Sequence, residues 1–148
     1  MTRKTAIVIR KVFSAIDDQK HSGWAVDTAI EIARVSSSTL IFFMANPAIL
    51  PGRGSPIYPW TKDYIDGYFD LARARAQKSG VYGTRCVTKN TVDVAKAIFE
   101  EAEIAEADYI VVGSNCRPGL FNNWKYSITR LVALNAHCPT IIVHRNQQ

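Results

Sequence analysis

This chain predicts an α/β fold, a parallel sheet with helices on both faces, on three observations. Thr39–Met44, Tyr109–Val112 and Thr140–Val143 are continuous apolar runs of strand length, the pattern of strands buried on both faces. Between such runs, apolar residues recur every three or four positions, as on one face of a helix. The two patterns alternate along the chain, and repeated strand–helix alternation calls for parallel strands joined by right-handed crossovers.

The first strand candidate, Ala6–Ile16, is β-branched and apolar but interrupted by Arg10-Lys11, which predicts a kink or a strand over only part of its length. Ser22 is a good N-cap for a first helix with the stripe Ala25, Ala29, Ile32 and Ala33. The second strand is Thr39–Met44. After it comes Asn46–Trp60, with Pro47, Pro51, Pro56, Pro59, Gly52 and Gly54. An irregular stretch of that length inside a compact domain is usually functional or mobile. Thr61 caps the second helix, whose helically spaced residues are Tyr64, Ile65, Tyr68, Leu71, Ala72 and Ala76. Asp63 and Asp66 lie early in it and Arg73, Arg75 and Lys78 late, complementing the macrodipole before Gly80.

Tyr82–Thr88 alternates and reads as a sheet-edge strand. Thr91 or Asp93 opens a third helix with Val94, Ala95, Ile98, Ala102 and Ala105 inward. Tyr109–Val112 is the fourth strand. The fourth helix runs from about Asn123 to Ala136 with Ile128, Leu131 and Val132 inward, and Pro139 forbids its extension. Thr140–Val143 is the fifth strand.

With 148 residues, 47% of them hydrophobic, the chain suits one globular domain over 1–148 with a sizeable core. No apolar run nears the roughly 20 residues of a membrane helix, and the apolar start is too short for a signal peptide. These features predict a cytoplasmic protein without a membrane partner. Cys86, Cys116 and Cys138 stand far apart without a CxxC pair. That argues against a disulfide framework or a zinc site and for reduced thiols, two of them core fillers. The net charge of +5 is scattered rather than gathered in a patch, which disfavours nucleic acid. Anionic small molecules and acidic protein surfaces fit the charge better.

The candidate site is the turn Gly113-Ser114-Asn115-Cys116, where an apolar strand breaks into small residues before a helix. Backbone N–H groups and the helix dipole make such turns anion sites. In open α/β sheets, ligands bind beyond the carboxyl ends of strands where strand order reverses. Asp17-Asp18, Asn46 and Gly113-Ser114 close the first, second and fourth strands. If order reverses between strands one and four, they ring one crevice, and the Asn46–Trp60 loop is placed to fold over it.

Other chemistries have weaker support. A nucleophile elbow needs Gly-x-Ser-x-Gly, absent around Ser114. His21, His137 and His144 lack triad partners in sequence and read as structural. Cys116, beside Arg117 in a turn rich in N–H donors, reads as a small pocket-filling residue or as a redox-sensing thiol. Asp17 and Asp18 are adjacent on a strand and face opposite ways, against a shared metal. Tyr58, Trp60, Tyr64 and Tyr68 read as a packed loop–helix junction rather than a base-stacking platform.

Three segments carry a family resemblance: Ser14-Ala15-Ile16-Asp17, a hydrophobic strand ending in Asp; Ala107-Asp108-Tyr109-Ile110-Val111-Val112-Gly113-Ser114; and Cys138-Pro139-Thr140-Ile141-Ile142-Val143. In that order and at those separations, the chain resembles the universal stress protein family over nearly its whole length. The resemblance implies an open five-stranded parallel sheet of order 3-2-1-4-5 flanked by four helices, of the adenine nucleotide alpha hydrolase-like type. It also implies homodimers, often paired through the last strand.

ATP-binding members of that family carry Gly-x2-Gly-x9-Gly-Ser/Thr. By resemblance, Gly113 takes the first glycine position and Ser114 follows it. Cys116 takes the second position and Tyr126 the third, and Ser127 keeps the hydroxyl. Asp17 matches the residue placed near the adenine and ribose. Gly119 and Leu120 match the segment after the second glycine, so loop length is preserved, and Arg117 and Lys125 stand near the phosphate position. Glycine there lets backbone approach phosphate closely, whereas cysteine and tyrosine add side chains.

The expectation is a non-enzymatic stress-response module whose crevice binds ATP weakly or not at all and which acts through unidentified protein partners. The alternative is a genuine ATP- or AMP-binding member with slow or no hydrolysis, and with Mg2+ only when ATP binds. A redox sensor centred on Cys116 is the second alternative.

Overall fold

The computed structural model describes residues 8–114 and 127–144. Among the described residues, five strands, β1 (Lys11–Ile16), β2 (Thr39–Pro47), β3 (Thr84–Thr91), β4 (Tyr109–Gly113) and β5 (Thr140–Val143), alternate with four helices. The helices are α1 (Lys20–Ser36), α2 (Lys62–Lys78), α3 (Val94–Ile104) and α4 (Ile128–Asn135). All strand pairs are parallel, in the order β3-β2-β1-β4-β5. Order therefore reverses between β1 and β4, as the resemblance implies.

Each face of the sheet carries its own core. Val12, Ile16, Leu40, Phe42, Met44 and Val111 pack beneath α1 and α2. Alternate residues of the same strands, Phe13, Ile41, Phe43, Ile110 and Val112, pack beneath α3 and α4. The Phe13 and Phe43 rings stack across the β1–β2 pair with centroids 5.3 Å apart. Burial on both faces explains why β2 and β4 are apolar without alternation. At the edge, β3 alternates partly buried and exposed residues, as its sequence predicts.

The Arg10-Lys11 interruption marks the start of β1. Both backbone N–H groups donate to Asp108 Oδ2, at 2.8 and 2.9 Å, and the Asp108 N–H returns a bond to the Lys11 carbonyl. Lys11 Nζ reaches the Ala105 carbonyl at 3.0 Å. The basic pair therefore stands where β4 and the end of α3 receive it.

Caps and helix faces show where sequence patterning succeeds and fails. Thr61 accepts from the Tyr64 N–H and Asp93 from the Lys96 N–H, so both open their helices by side-chain capping. Gly80, at φ 86°, follows α2 in the left-handed region that favours glycine. Ser22, by contrast, is not an N-cap. α1 begins at Lys20 behind Gln19, and the Ser22 hydroxyl reaches back to the Asp17 N–H at 2.9 Å. Ile32 is only partly buried, and Val26 and Ile30 fill the core beside Ala25, Ala29 and Ala33.

On α2, Leu71 is 65% exposed, while Ile65, Phe69, Ala72 and Ala76 are buried. On α4, Val132 is buried as its spacing predicts, but Ile128 and Leu131 face outward and Thr129 is buried in their stead. Helical spacing fixes a stripe but not which of two adjacent apolar stripes meets the sheet. The expected start of this helix, Asn123, lies outside the described residues.

Candidate functional site

The β1–β4 reversal opens a crevice beyond the carboxyl ends of these strands. β1 delivers Asp17 to it. Its Oδ1 accepts from the Gln19 N–H at 2.8 Å, and its own N–H donates to Ser22 Oγ. This Asx-type turn brings the chain from β1 into α1 and fixes the carboxylate at the strand end. β4 delivers Gly113, paired with Val143, and then Ser114, which is buried. The Ser114 N–H continues the ladder to the Val143 carbonyl at 2.9 Å.

α4 completes the described part of the crevice. Ser127 is its N-cap residue by backbone conformation, yet its side chain makes no capping bond. Its hydroxyl therefore stands at the positive end of the helix without closing the first turn. Two residues on, buried Thr129 donates from Oγ1 to the Gly113 carbonyl at 3.2 Å. That bond ties α4 to the end of β4. Thr129 carried almost no signal in the sequence, being one small polar residue in an amphipathic helix.

The structure thus brings Asp17, Gly113, Ser114 and Ser127 to the strand-end side of the sheet. Cys116, Arg117, Gly119 and Tyr126 lie outside the described residues, as do Leu120 and Lys125. Asn46 differs from expectation. It is 2% exposed, and its amide is spent on the chain itself: Nδ2 donates to the Trp60 carbonyl at 2.9 Å and Oδ1 accepts the Trp60 N–H at 3.2 Å. This clamp closes the base of the 46–60 segment. Further out, Ile49 and Ile57 exchange backbone bonds of 2.7 and 2.9 Å, making a short antiparallel bridge.

The aromatic cluster is a packed junction. Trp60 lies 5.6 Å from Tyr64 and Tyr64 lies 5.3 Å from Tyr68, centroid to centroid. Trp60 and Tyr68 pack against the α1–α2 core. The Tyr64 hydroxyl donates to Asp18 Oδ2 at 3.1 Å. Tyr68 first, and the Asp18 carboxylate with it, hold the Tyr64 phenol protonated well above its usual range. His137 is spent structurally, its Nε2 3.0 Å from the Ala107 carbonyl.

A parallel sheet of this order, with its crevice at the β1–β4 reversal, defines an adenine nucleotide alpha hydrolase-like fold. The model of the universal stress protein family matches residues 9–144, and the chain belongs to that family. A universal stress protein solved in complex with cAMP superposes at TM-score 0.77 and 23% identity, covering 95% of this chain and 100% of that one. An Archaeoglobus fulgidus universal stress protein in complex with dAMP gives TM-score 0.64 and 19% identity, over 92% of this chain and 98% of that one. A Burkholderia pseudomallei family member gives TM-score 0.67 and 19% identity, over 92% and 96%. These likenesses are likenesses of fold. No curated protein matches the sequence.

Proposed function

We propose that the protein is a non-enzymatic, cytoplasmic stress-response module, one domain over 1–148. In this reading it is a homodimer, and its crevice binds ATP weakly or not at all while protein partners carry its output. The observation that carries the reading is a contrast within one site. Asp17, Gly113, Ser114 and Ser127 lie at the ends of β1 and β4 and the head of α4, while by resemblance two glycine positions of the family's nucleotide motif fall on Cys116 and Tyr126. A phosphate cradle depends on close backbone approach, which a side chain at those positions obstructs.

A second reading, a working adenine-nucleotide binder, draws on the Ser127 hydroxyl, which makes no cap at the head of α4. It also draws on the family members solved with cAMP and with dAMP. Arg117 and Lys125 would then supplement the backbone at the phosphates, and Mg2+ would accompany ATP alone.

Thermal denaturation with millimolar ATP, ADP, AMP and cAMP separates the two. The proposed reading expects shifts below about 1 °C for the parent and a clear upward shift with ATP for Cys116→Gly/Tyr126→Gly. Stabilisation follows RT ln(1 + [L]/Kd), so occupancy at a hundred times Kd would move the midpoint by several degrees. Such a shift in the parent protein establishes the second reading instead.

A further inference from the structure

The segment between β2 and α2 is tied at its base yet holds its apolar side chains in water. Asn46 clamps Trp60, the Ala48 N–H donates to the Thr91 carbonyl at 2.8 Å, and Ile49 pairs with Ile57. These ties use backbone groups and one side-chain amide. Leu50 is left 67% exposed, Ile49 and Ile57 are more than half exposed, and Pro56, Tyr58 and Pro59 are exposed beside them. Large apolar side chains gathered in water on a fixed segment mark an interaction surface.

The spacing within the segment points to the kind of partner. Arg53-Gly54-Ser55-Pro56-Ile57-Tyr58-Pro59 reads Arg-x-x-Pro-x-x-Pro. Pro-x-x-Pro segments dock as extended chains in grooves lined by aromatic side chains. Each proline fixes its own φ and disfavours helix at the residue before it, so Ser55 and Tyr58 are also held extended. The Ile49–Ile57 bridge adds a third constraint between the two prolines. A segment ordered in advance loses little entropy on docking. Arg53 is exposed and is the only charged residue of 46–60. A complementary groove therefore carries an acidic group beside its aromatic floor. Gly54, at φ 103°, puts a turn between Arg53 and Pro56, so the cation flanks the extended run rather than continuing it.

We propose that Arg53–Pro59 is a docking motif for a partner protein with an SH3-type groove. Pro56 and Pro59, with Ile57 and Tyr58 between them, lie on the aromatic floor, and Arg53 meets a carboxylate at the rim. A bilayer is the poorer match, because it does not read proline spacing and one cation holds a protein to lipid only weakly. The motif names one kind of partner for the module proposed above, and rests on that reading only in expecting protein partners. It leaves from β2 rather than from the β1–β4 reversal, so SH3 binding and nucleotide binding fail or succeed separately.

The test titrates the full chain, labelled with nitrogen-15, with an isolated SH3 domain selected on Arg-x-x-Pro-x-x-Pro peptides. Amide signals within 49–62 should move, and an excess of such a peptide should restore them. Pro56→Ala/Pro59→Ala should weaken binding by about tenfold or more while signals of the sheet stay in place, and Arg53→Glu should weaken it by a similar factor. The proposal is overturned by no binding at about 1 mM SH3 domain, by binding that survives the proline substitutions or the competing peptide, by indifference to Arg53→Glu, or by shifts centred on Gly113, Ser114 and Ser127. Shifts in 49–58 that follow this chain's own concentration, or phosphatidylglycerol vesicles, in place of the SH3 domain also overturn it. They give the segment to a second copy or to a bilayer.

Discussion

A buried amide is costly unless donor and acceptor are both met, and Asn46 meets both on the backbone of one residue, Trp60. Asn46→Ala leaves a backbone N–H and carbonyl short of partners at the foot of a proline-rich segment. Urea denaturation should show a loss of roughly 2 kcal/mol. Asn46→Asp keeps the acceptor but loses the donor, so it should fall between parent and alanine only where its carboxyl is protonated. Cys138 makes a second residue-level case. Burial, with the Asp108 carboxylate adding to it, pushes its thiol up to about 11. Because the folded value lies above the unfolded one, near 9.0, this thiol's contribution to stability is present below pH 9 and lost as pH rises toward 11. Iodoacetamide should accordingly label folded Cys138 slowly at pH 8, and a rate matching that of an unfolded thiol would contradict the assignment. That Asp17 follows β1 and that Gly113 and Ser114 close β4 was legible in the sequence, because apolar strand runs there break into acidic or small residues. The role of Asn46 was not, because a polar residue at a strand end looks the same whether it serves a ligand or its own chain.

Helices were read from their caps more reliably than from their stripes. A cap is a local bond: Asp93 Oδ1 takes the Lys96 N–H at 3.0 Å, and Thr91 Oγ1 takes the Asp93 N–H at the same distance. Asp93→Ala should therefore cost about 1 kcal/mol in equilibrium unfolding, and Asp93→Asn, which still caps, should cost less than half of that. Equal losses for the two would show that charge at the helix head, rather than the cap, is what matters there. The inward face of a helix is a tertiary choice. α4 offers Ile128, Leu131 and Leu134 on one side and Thr129 and Val132 on the other, and the second side meets the sheet. Hydrophobicity alone favours the wrong face. The Thr129 bond to the Gly113 carbonyl is part of what the better pattern could not show. The same limit applies to α2, where Leu71 follows the helical period and still lies in solvent.

At the scale of the whole molecule, the strand order was available only through resemblance, because alternation of elements fixes a parallel sheet but not where its order reverses. The order matters for assembly, since it leaves β3 and β5 as edges. An open edge presents unpaired N–H and carbonyl groups, and soluble proteins guard such edges with charge. β3 is guarded by Arg85 and Lys89, whereas β5, Thr140-Ile141-Ile142-Val143, carries no charge at all. Beside β5, the outward face of α4 exposes Ile128, Leu131 and Leu134, and β5 itself exposes Ile142. An uncharged edge continuous with an apolar helix face is the surface on which a second copy would pair, burying backbone and side chains together. Sedimentation velocity at tens of micromolar should therefore find a dimer for the parent. Ile142→Lys, alone or with Leu131→Glu, should give a monomer whose circular dichroism is unchanged, because neither side chain belongs to the core. Arg85→Ala at the opposite edge should leave the dimer intact. A monomeric parent, or a dimer indifferent to Ile142→Lys, would remove β5 as the interface and leave the apolar face of α4 to a different partner.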